Sequence, residues 1–297
     1  MSTFSIFFEA MGSRCEIRLA ALDESSAHGL AQPAIDEVKR IETKYSRYRP
    51  DSVLSQIAAR AGNDWTVCDD ETQALLDYAN TLFVRSDGLF DITSGVLRRA
   101  WNFRRAELPT EEALRILCGL VDWASVQRDG RRIRLPQAGM ELDFGGFGKE
   151  YAADRAASAL VEQGIKHGYV NLAGDIRVIG PQTQGQPWRI GIQNPQLCDG
   201  LIASIEVTSG AVATSGDYER SFVYDGRRFC HILHPRSGRP VSFWRSISVL
   251  APSALEAGSF STIAMLKEEQ GPAFLERENV IYIAADQEGH LHYSKEN

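Results

Sequence analysis

Residues 212–241 read VATSGDYERSFVYDGRRFCHILHPRSGRPV and contain two strand-like runs separated by a tight turn. The runs at 221–224 and 228–233 are rich in β-branched and aromatic residues, and Asp225-Gly226 lies between them. Because this dipeptide favours a two-residue turn, the sequence predicts a β-hairpin here.

Two turn-like segments flank this hairpin. Thr214-Ser215-Gly216 precedes it and residues 235–238, PRSG, follow it. Backbone N–H groups in glycine-containing turns, with an arginine nearby, suit a phosphate group. The same segments also fit ordinary turns with no ligand. The pattern alone leaves both interpretations open.

Strand and helix patterns alternate irregularly through the rest of the chain. Alternating apolar residues at 4–8 and 15–19 flank Met11-Gly12 as a second hairpin, and helical spacing recurs from 34 to 45 and from 253 to 267. Strict strand-helix-strand alternation is lacking, so the predicted fold class is α+β, with mainly antiparallel sheets and packed helices. Residues 1–297 are expected to form one domain, with room for two lobes.

Composition excludes several classes of protein. The 297 residues are 43% hydrophobic and 24% charged, with a net charge of −7, so no basic surface favours nucleic acid or an anionic membrane. Five scattered cysteines argue against a disulfide framework or a structural zinc site. No apolar run suits membrane insertion, and residues 1–20 do not read as a secretory signal. The cytoplasm is the expected location.

Three other segments have both a structural and a functional interpretation. Residues 143–150, DFGGFGKE, lack the P-loop spacing, yet they place Lys149 at a helix start, where amide groups favour an anion. Residues 86–95, SDGLFDITSG, fit a binding loop or a solvated turn. Gly258 lies inside a predicted helix, where it makes room for close packing against the sheet or for a ligand.

Eight runs taken together resemble the FAD:protein FMN transferase family, also called the ApbE family. They are residues 11–13, 45–55, 86–97, 143–156, 170–176, 213–220, 230–241 and 257–262. They span nearly the whole chain in the family's order, and the resemblance implies the flavin transferase fold.

The resemblance also implies a reaction. A threonine hydroxyl of an acceptor flavoprotein attacks the FMN-side phosphorus of FAD, which links FMN through a phosphoester and releases AMP. A divalent metal such as Mg²⁺ assists. Phosphoryl transfer of this kind depends on positioning the phosphates and neutralising their charge.

The family motifs assign roles to individual residues here. His231 matches the histidine of the family's H-I-x-x-P motif and is the candidate proton acceptor, since an unperturbed imidazole titrates near pH 6.5. The implied FAD contacts are Met11, Tyr48, Leu89, Phe90, Asp91, Asp143, Lys149 and Ile232. The hydroxyls of Thr214 and Ser215 are further candidate contacts to phosphate.

The implied metal site departs from the family pattern. The Gly146 carbonyl and the Thr262 hydroxyl match family ligands, but Gly258 stands at the usual aspartate position. Mg²⁺ normally takes at least one carboxylate beside substrate phosphates, so we expect weakened metal affinity. Asp217 and Glu219 are other candidate carboxylates, whereas Glu256 lies on a different side of the helix.

Further departures surround this site. Glu150 replaces a small residue common after the lysine, and we expect it to change the turn at the helix start. His234 replaces the usual aspartate and makes a His-x-x-His metal site conceivable, although no third ligand is spaced with it.

Two alternative functions stay open: the first is favoured by the weakened metal site, and the second is itself metal-dependent. One is an FAD-binding protein without transferase activity. The other is an FAD pyrophosphatase, in which water replaces the threonine and free FMN is released with AMP. A serine hydrolase is excluded because the chain lacks a G-x-S-x-G motif.

Overall fold

The computed structural model describes residues 2–103, 105–195 and 200–295. The strands are β1 (Ser2–Ala10), β2 (Ser13–Ala21), β3 (Thr66–Val67), β4 (Gln127–Asp129), β5 (Arg132–Arg134), β6 (Gly168–Leu172), β7 (Asp175–Gly180), β8 (Trp188–Gln193), β9 (Leu201–Val207), β10 (Gly210–Gly216), β11 (Ser221–Tyr224), β12 (Arg227–Cys230), β13 (Trp244–Ala251), β14 (Ile281–Asp286) and β15 (Leu291–Tyr293). The α-helices are α1 (Glu24–Tyr45), α2 (Val53–Ala59), α3 (Asp70–Arg85), α4 (Glu111–Cys118), α5 (Gly148–Glu162), α6 (Ala254–Leu266) and α7 (Gly271–Arg277).

The centre of the fold is an eight-stranded sheet in the order β1-β2-β6-β7-β10-β13-β14-β15. Every neighbouring pair in it is antiparallel. The predicted α+β class with mainly antiparallel sheet is therefore confirmed. The single-domain interpretation stays a prediction.

The two faces of the sheet are covered differently, because side chains alternate along each strand. Helices α1, α5 and α6 pack on one face, over a large core that includes Ile17, Val170 and Ile247. The other face carries a smaller apolar cluster formed with the β8–β9 ribbon, including Trp188 and Val212. On any strand, neighbouring residues therefore face different environments.

The hairpin in the opening stretch forms as predicted at its turn but ends earlier. Asp225 and Gly226 have positive φ angles of 48° and 72°, which fits a two-residue turn of the primed type. The second strand stops at Cys230 rather than at Leu233. Residues after Cys230 leave the ribbon and pair only locally, through a bridge between Leu233 and Pro240. His231 consequently lies outside the strand in which the sequence placed it.

The described cysteines form no disulfides. Cys15, Cys68, Cys118 and Cys230 are free thiols, and Cys198 lies outside the described residues. Within the described ranges, no helix has both the length and the apolar composition needed to cross a membrane.

Candidate active site

Lys149 lies in the first turn of α5, directly after the glycine-rich segment. That segment is anchored by Phe147, whose fully buried ring contacts Tyr78 edge-on at 5.8 Å between centroids. Lys149 Nζ donates to Asp175 Oδ2 at 2.8 Å, at the start of β7. Burial acts to lower the pKa of Lys149, but Asp175 and Glu150 raise it above its usual range. The lysine is a fixed cation at the start of α5.

His231 lies among cations. Its Nδ1 atom is buried and has no hydrogen-bond partner in the described part of the chain. Burial, followed by the charges of Arg220 and Lys149, lowers the pKa of His231 to about 4. The imidazole is therefore neutral at pH 7 and able to accept a proton.

Asp143 is held between two loops. Its carboxylate pairs with Arg47 and accepts the Gly145 N–H at 2.8 Å. Arg47 also lies over the ring of Tyr48, with 5.0 Å from its guanidinium carbon to the ring centroid. Tyr48 itself is 74% exposed, so it presents a free aromatic face at the edge of the site.

Strand β10 separates the two hydroxyls that the sequence grouped together. Ser215 Oγ lies 3.0 Å from Thr262 Oγ1 and 2.8 Å from Ser261 Oγ, facing α6. Thr214 points to the opposite face and lies 2.8 Å from Ser248 Oγ. Only Ser215 is brought to the Thr262 side of the sheet.

Gly258 is buried in α6 directly against Glu150 of α5. A Cβ atom built on Gly258 would lie 2.4 Å from Glu150 Cγ and 2.5 Å from Glu150 Oε1. The room made by this glycine is therefore filled by a carboxylate side chain from the neighbouring helix, which is neither of the two explanations that the sequence suggested.

The remaining predicted FAD contacts are mostly apolar side chains that pack on the large core. Met11 lies in the β1–β2 turn with φ of 53°, and Leu89, Phe90 and Ile232 pack on the large core. The Phe90 ring also approaches Gly146, within 2.8 Å of a built Cβ, so only glycine fits there. These residues supply apolar walls.

Asp91 has structural partners of its own. Its carboxylate accepts the Thr93 N–H at 2.7 Å and the Trp123 N–H at 3.1 Å, and it caps the 3-10 turn that begins at Ile92. Its role as an FAD contact stays a prediction.

The basic turn at 235–238 contacts another loop. Arg236 Nη2 donates to the Asp87 carbonyl at 2.7 Å, and the Trp101 indole donates to the Gly238 carbonyl at 2.8 Å. Among the described residues, the group of three or more His, Cys, Asp or Glu side chains close enough to share a metal ion is Asp286, Glu288 and His290. It contains neither His231 nor His234.

Four charged residues at the centre were not singled out from the sequence as site residues: Arg47, Asp175, Arg220 and Glu150. Asp217, one of the candidate carboxylates, pairs with buried Arg245 at 3.3 Å. The sequence signal that points to Glu150 is that Glu150 and Gly258 are both predicted departures from the family pattern.

The site fits a divalent cation on structural grounds. Glu150 is 6% exposed, and its Oε2 atom is buried without a hydrogen-bond partner among the described residues. On α6, Thr262 lies one turn after Gly258 and is partly exposed. Oxygen donors of this kind are those that Mg²⁺ prefers.

Comparison with known proteins identifies the family. The model of the ApbE family matches residues 11–284. The chain belongs to the ApbE family. A Klebsiella pneumoniae (strain 342) relative named FAD:protein FMN transferase is 31% identical over 278 residues, covering 91% of this chain and 85% of the relative. A relative of the same name from Vibrio cholerae is 29% identical, covering 89% and 85%.

Solved ApbE structures share the whole fold. The ApbE protein from Thermotoga maritima superposes with a TM-score of 0.91 at 29% identity, covering 99% of this chain and 97% of that one. The flavin transferase ApbE from Vibrio cholerae superposes with a TM-score of 0.87 at 25% identity, covering 99% and 97%. The flavin transferase fold expected from the sequence is confirmed.

Proposed function

We propose that this ApbE-family chain is an FAD:protein FMN transferase that moves FMN from FAD to a threonine hydroxyl of an acceptor flavoprotein and releases AMP. The observation that carries the proposal is a buried, neutral His231 close enough to Lys149 to feel its charge, together with the buried Glu150 carboxylate packed between α5 and α6. Relatives named FAD:protein FMN transferase cover most of the chain and support the same activity.

The FAD pocket is assigned to residues around the glycine-rich turn. Lys149 faces the pyrophosphate, and the apolar side chains of Met11, Leu89, Phe90 and Ile232 line the nucleotide. The exposed ring of Tyr48 suits stacking on a flat aromatic group. Arg47 holds Asp143 in place, so the carboxylate is oriented before FAD arrives.

Gly146 and Thr262 are proposed to hold a divalent cation, with Mg²⁺ as the expected ion. When bound, the cation neutralises charge on the pyrophosphate and so favours phosphoryl transfer. Ser215 lies 3.0 Å from the Thr262 hydroxyl and fixes its orientation.

His231 is proposed to take the proton of the incoming threonine hydroxyl. As the new bond forms between the threonine oxygen and the FMN-side phosphorus, the bond from that phosphorus to the bridging oxygen breaks and AMP leaves. An imidazole with a lowered pKa is unprotonated at pH 7 and accepts the proton without first losing one. The predicted cytoplasmic location is retained in this proposal.

The test follows FAD turnover by chromatography in the presence of Mg²⁺ and an acceptor domain known to be flavinylated by an ApbE enzyme. The transferase is expected to release AMP without an equal amount of free FMN. An acceptor with its target threonine replaced by alanine is the control and should suppress AMP release.

Other product patterns would overturn the proposal. AMP with an equal amount of free FMN, independent of acceptor, would identify a pyrophosphatase. Intact FAD that stays bound whether Mg²⁺ or EDTA is present would identify a binding protein.

A further inference from the structure

Two positions where this chain departs from the family pattern touch each other in space. Gly258 replaces the usual aspartate on α6, and Glu150 replaces a small residue on α5. These positions are 108 residues apart in sequence, yet their side-chain volumes compete for the same space.

The Glu150 carboxylate occupies space into which an aspartate side chain at position 258 would extend. Glu150 Oε1 is 2.5 Å from the Cβ position built on Gly258. Ordinary bond lengths put the carboxylate oxygens of an aspartate about 2.4 Å from its own Cβ. A carboxylate from the opposite helix therefore takes up the space next to position 258 that an aspartate side chain there would need.

The packing of α5 against α6 relates position 150 to the other proposed metal ligands, Gly146 and Thr262. Asp154, one turn after Glu150, accepts the N–H groups of Ala254 and Leu255, both at 2.9 Å. Positions 150 with 258 and 154 with 254 define an antiparallel register. Continued one turn the other way, the register directs the Thr262 end of α6 toward the glycine-rich segment that precedes α5.

The environment of Glu150 also suits a cation. Its side chain is 6% exposed and Oε2 has no hydrogen-bond partner among the described residues. A buried carboxylate oxygen without a partner is costly, and a bound metal ion removes that cost.

We propose that Glu150 is the carboxylate ligand of the divalent cation in this chain, relocated from α6 to α5. The inference rests on the metal-assisted function proposed above. It explains how Gly258 is compatible with a working metal site, because the missing carboxylate is supplied by the residue that fills its space.

The test measures Mn²⁺ binding to FAD-saturated protein by electron paramagnetic resonance, without acceptor. Losing a supporting residue of a metal site typically costs 10- to 100-fold in affinity, so loss of a direct ligand by Glu150→Gln should weaken Mn²⁺ binding at least about tenfold. Glu162→Gln, the same substitution at an exposed position of α5, is the matched control and should leave affinity unchanged. Thermal unfolding checks that both variants fold.

A swap of the two positions makes the test specific. Glu150→Ala combined with Gly258→Asp should regain most of the Mn²⁺ affinity, because the carboxylate returns to α6 with room to fit. Gly258→Asp alone should not raise the affinity, since its side chain would collide with Glu150.

The outcomes separate this inference from the proposed function. Wild-type protein that binds Mn²⁺ and releases AMP, with Glu150→Gln binding Mn²⁺ equally well, would overturn the role of Glu150 alone. Wild-type protein that binds FAD, does not bind Mn²⁺ and does not modify the acceptor threonine would overturn both the inference and the proposed function.

Discussion

At the scale of single residues, His231 is the group whose chemistry depends most on its surroundings. Burial and the cations Arg220 and Lys149 keep it neutral. His231→Gln should therefore lower the rate of AMP release by about 10²- to 10⁴-fold, the usual contribution of general acid–base catalysis. Affinity for FAD, measured by calorimetric titration, should change little. A variant that retains full turnover would exclude His231 as the proton acceptor.

The lowered pKa of His231 also predicts how stability depends on pH. The folded-state pKa of about 4 lies below the unfolded value of about 6.5. Between these values the unfolded chain binds more protons, so this group makes stability fall as pH drops from about 6.5 toward 4. Histidine NMR of the FAD-free protein should show His231 still neutral at pH 5. A midpoint near 6.5 would contradict the buried environment.

Gly258 and Glu150 should be energetically coupled. Gly258→Ala places a Cβ 2.4 Å from Glu150 Cγ, and overpacking of this kind costs about 1–3 kcal/mol. The gain in helix propensity is only about 1 kcal/mol, so the substitution should destabilise the protein. In a Glu150→Ala background the collision is gone, and the same change should stabilise it. Denaturant unfolding of all four proteins measures this coupling.

The opposite result would have a clear meaning. If Gly258→Ala had the same effect in both backgrounds, the two side chains would not share space. The proposed relocation of the carboxylate would then lose its geometric basis.

At the scale of elements, the α5–α6 pair positions the proposed metal ligands. Asp154 holds the first turn of α6 through the N–H groups of Ala254 and Leu255. Asp154→Ala should lower the free energy of unfolding by about 1–2 kcal/mol, as for loss of a helix cap. Asp154→Asn retains one of the two acceptor oxygens and should cost less, because it loses only one of these hydrogen bonds. Equal losses in both variants would assign the effect to charge rather than to capping.

Elements were predictable from sequence where the pattern is local. Asp225-Gly226 specifies its turn because both residues accept positive φ, and the hairpin forms there. The end of β12 was not predictable, because apolar Ile232 and Leu233 continue the strand pattern while their actual contacts lie elsewhere in the fold. The separation of Thr214 from Ser215 follows from strand alternation, once β10 is known to be covered on both faces.

At the scale of the whole molecule, the order of the motifs carried most of the information. Eight runs in sequence predicted the family and the fold, and both are confirmed. From the sequence, Gly258 predicts a missing metal ligand, whereas Glu150 predicts only a changed turn at the helix start. Which residues approach each other across two helices is set by packing, which a single sequence does not specify.

The most direct test of the central claim is the mass of the acceptor protein after incubation with this chain, FAD and Mg²⁺. The account predicts an acceptor heavier by one FMN group, with peptide mapping placing the flavin on a threonine and no gain in the presence of EDTA. An acceptor of unchanged mass, under conditions in which an established ApbE transferase modifies it, would contradict the proposed function.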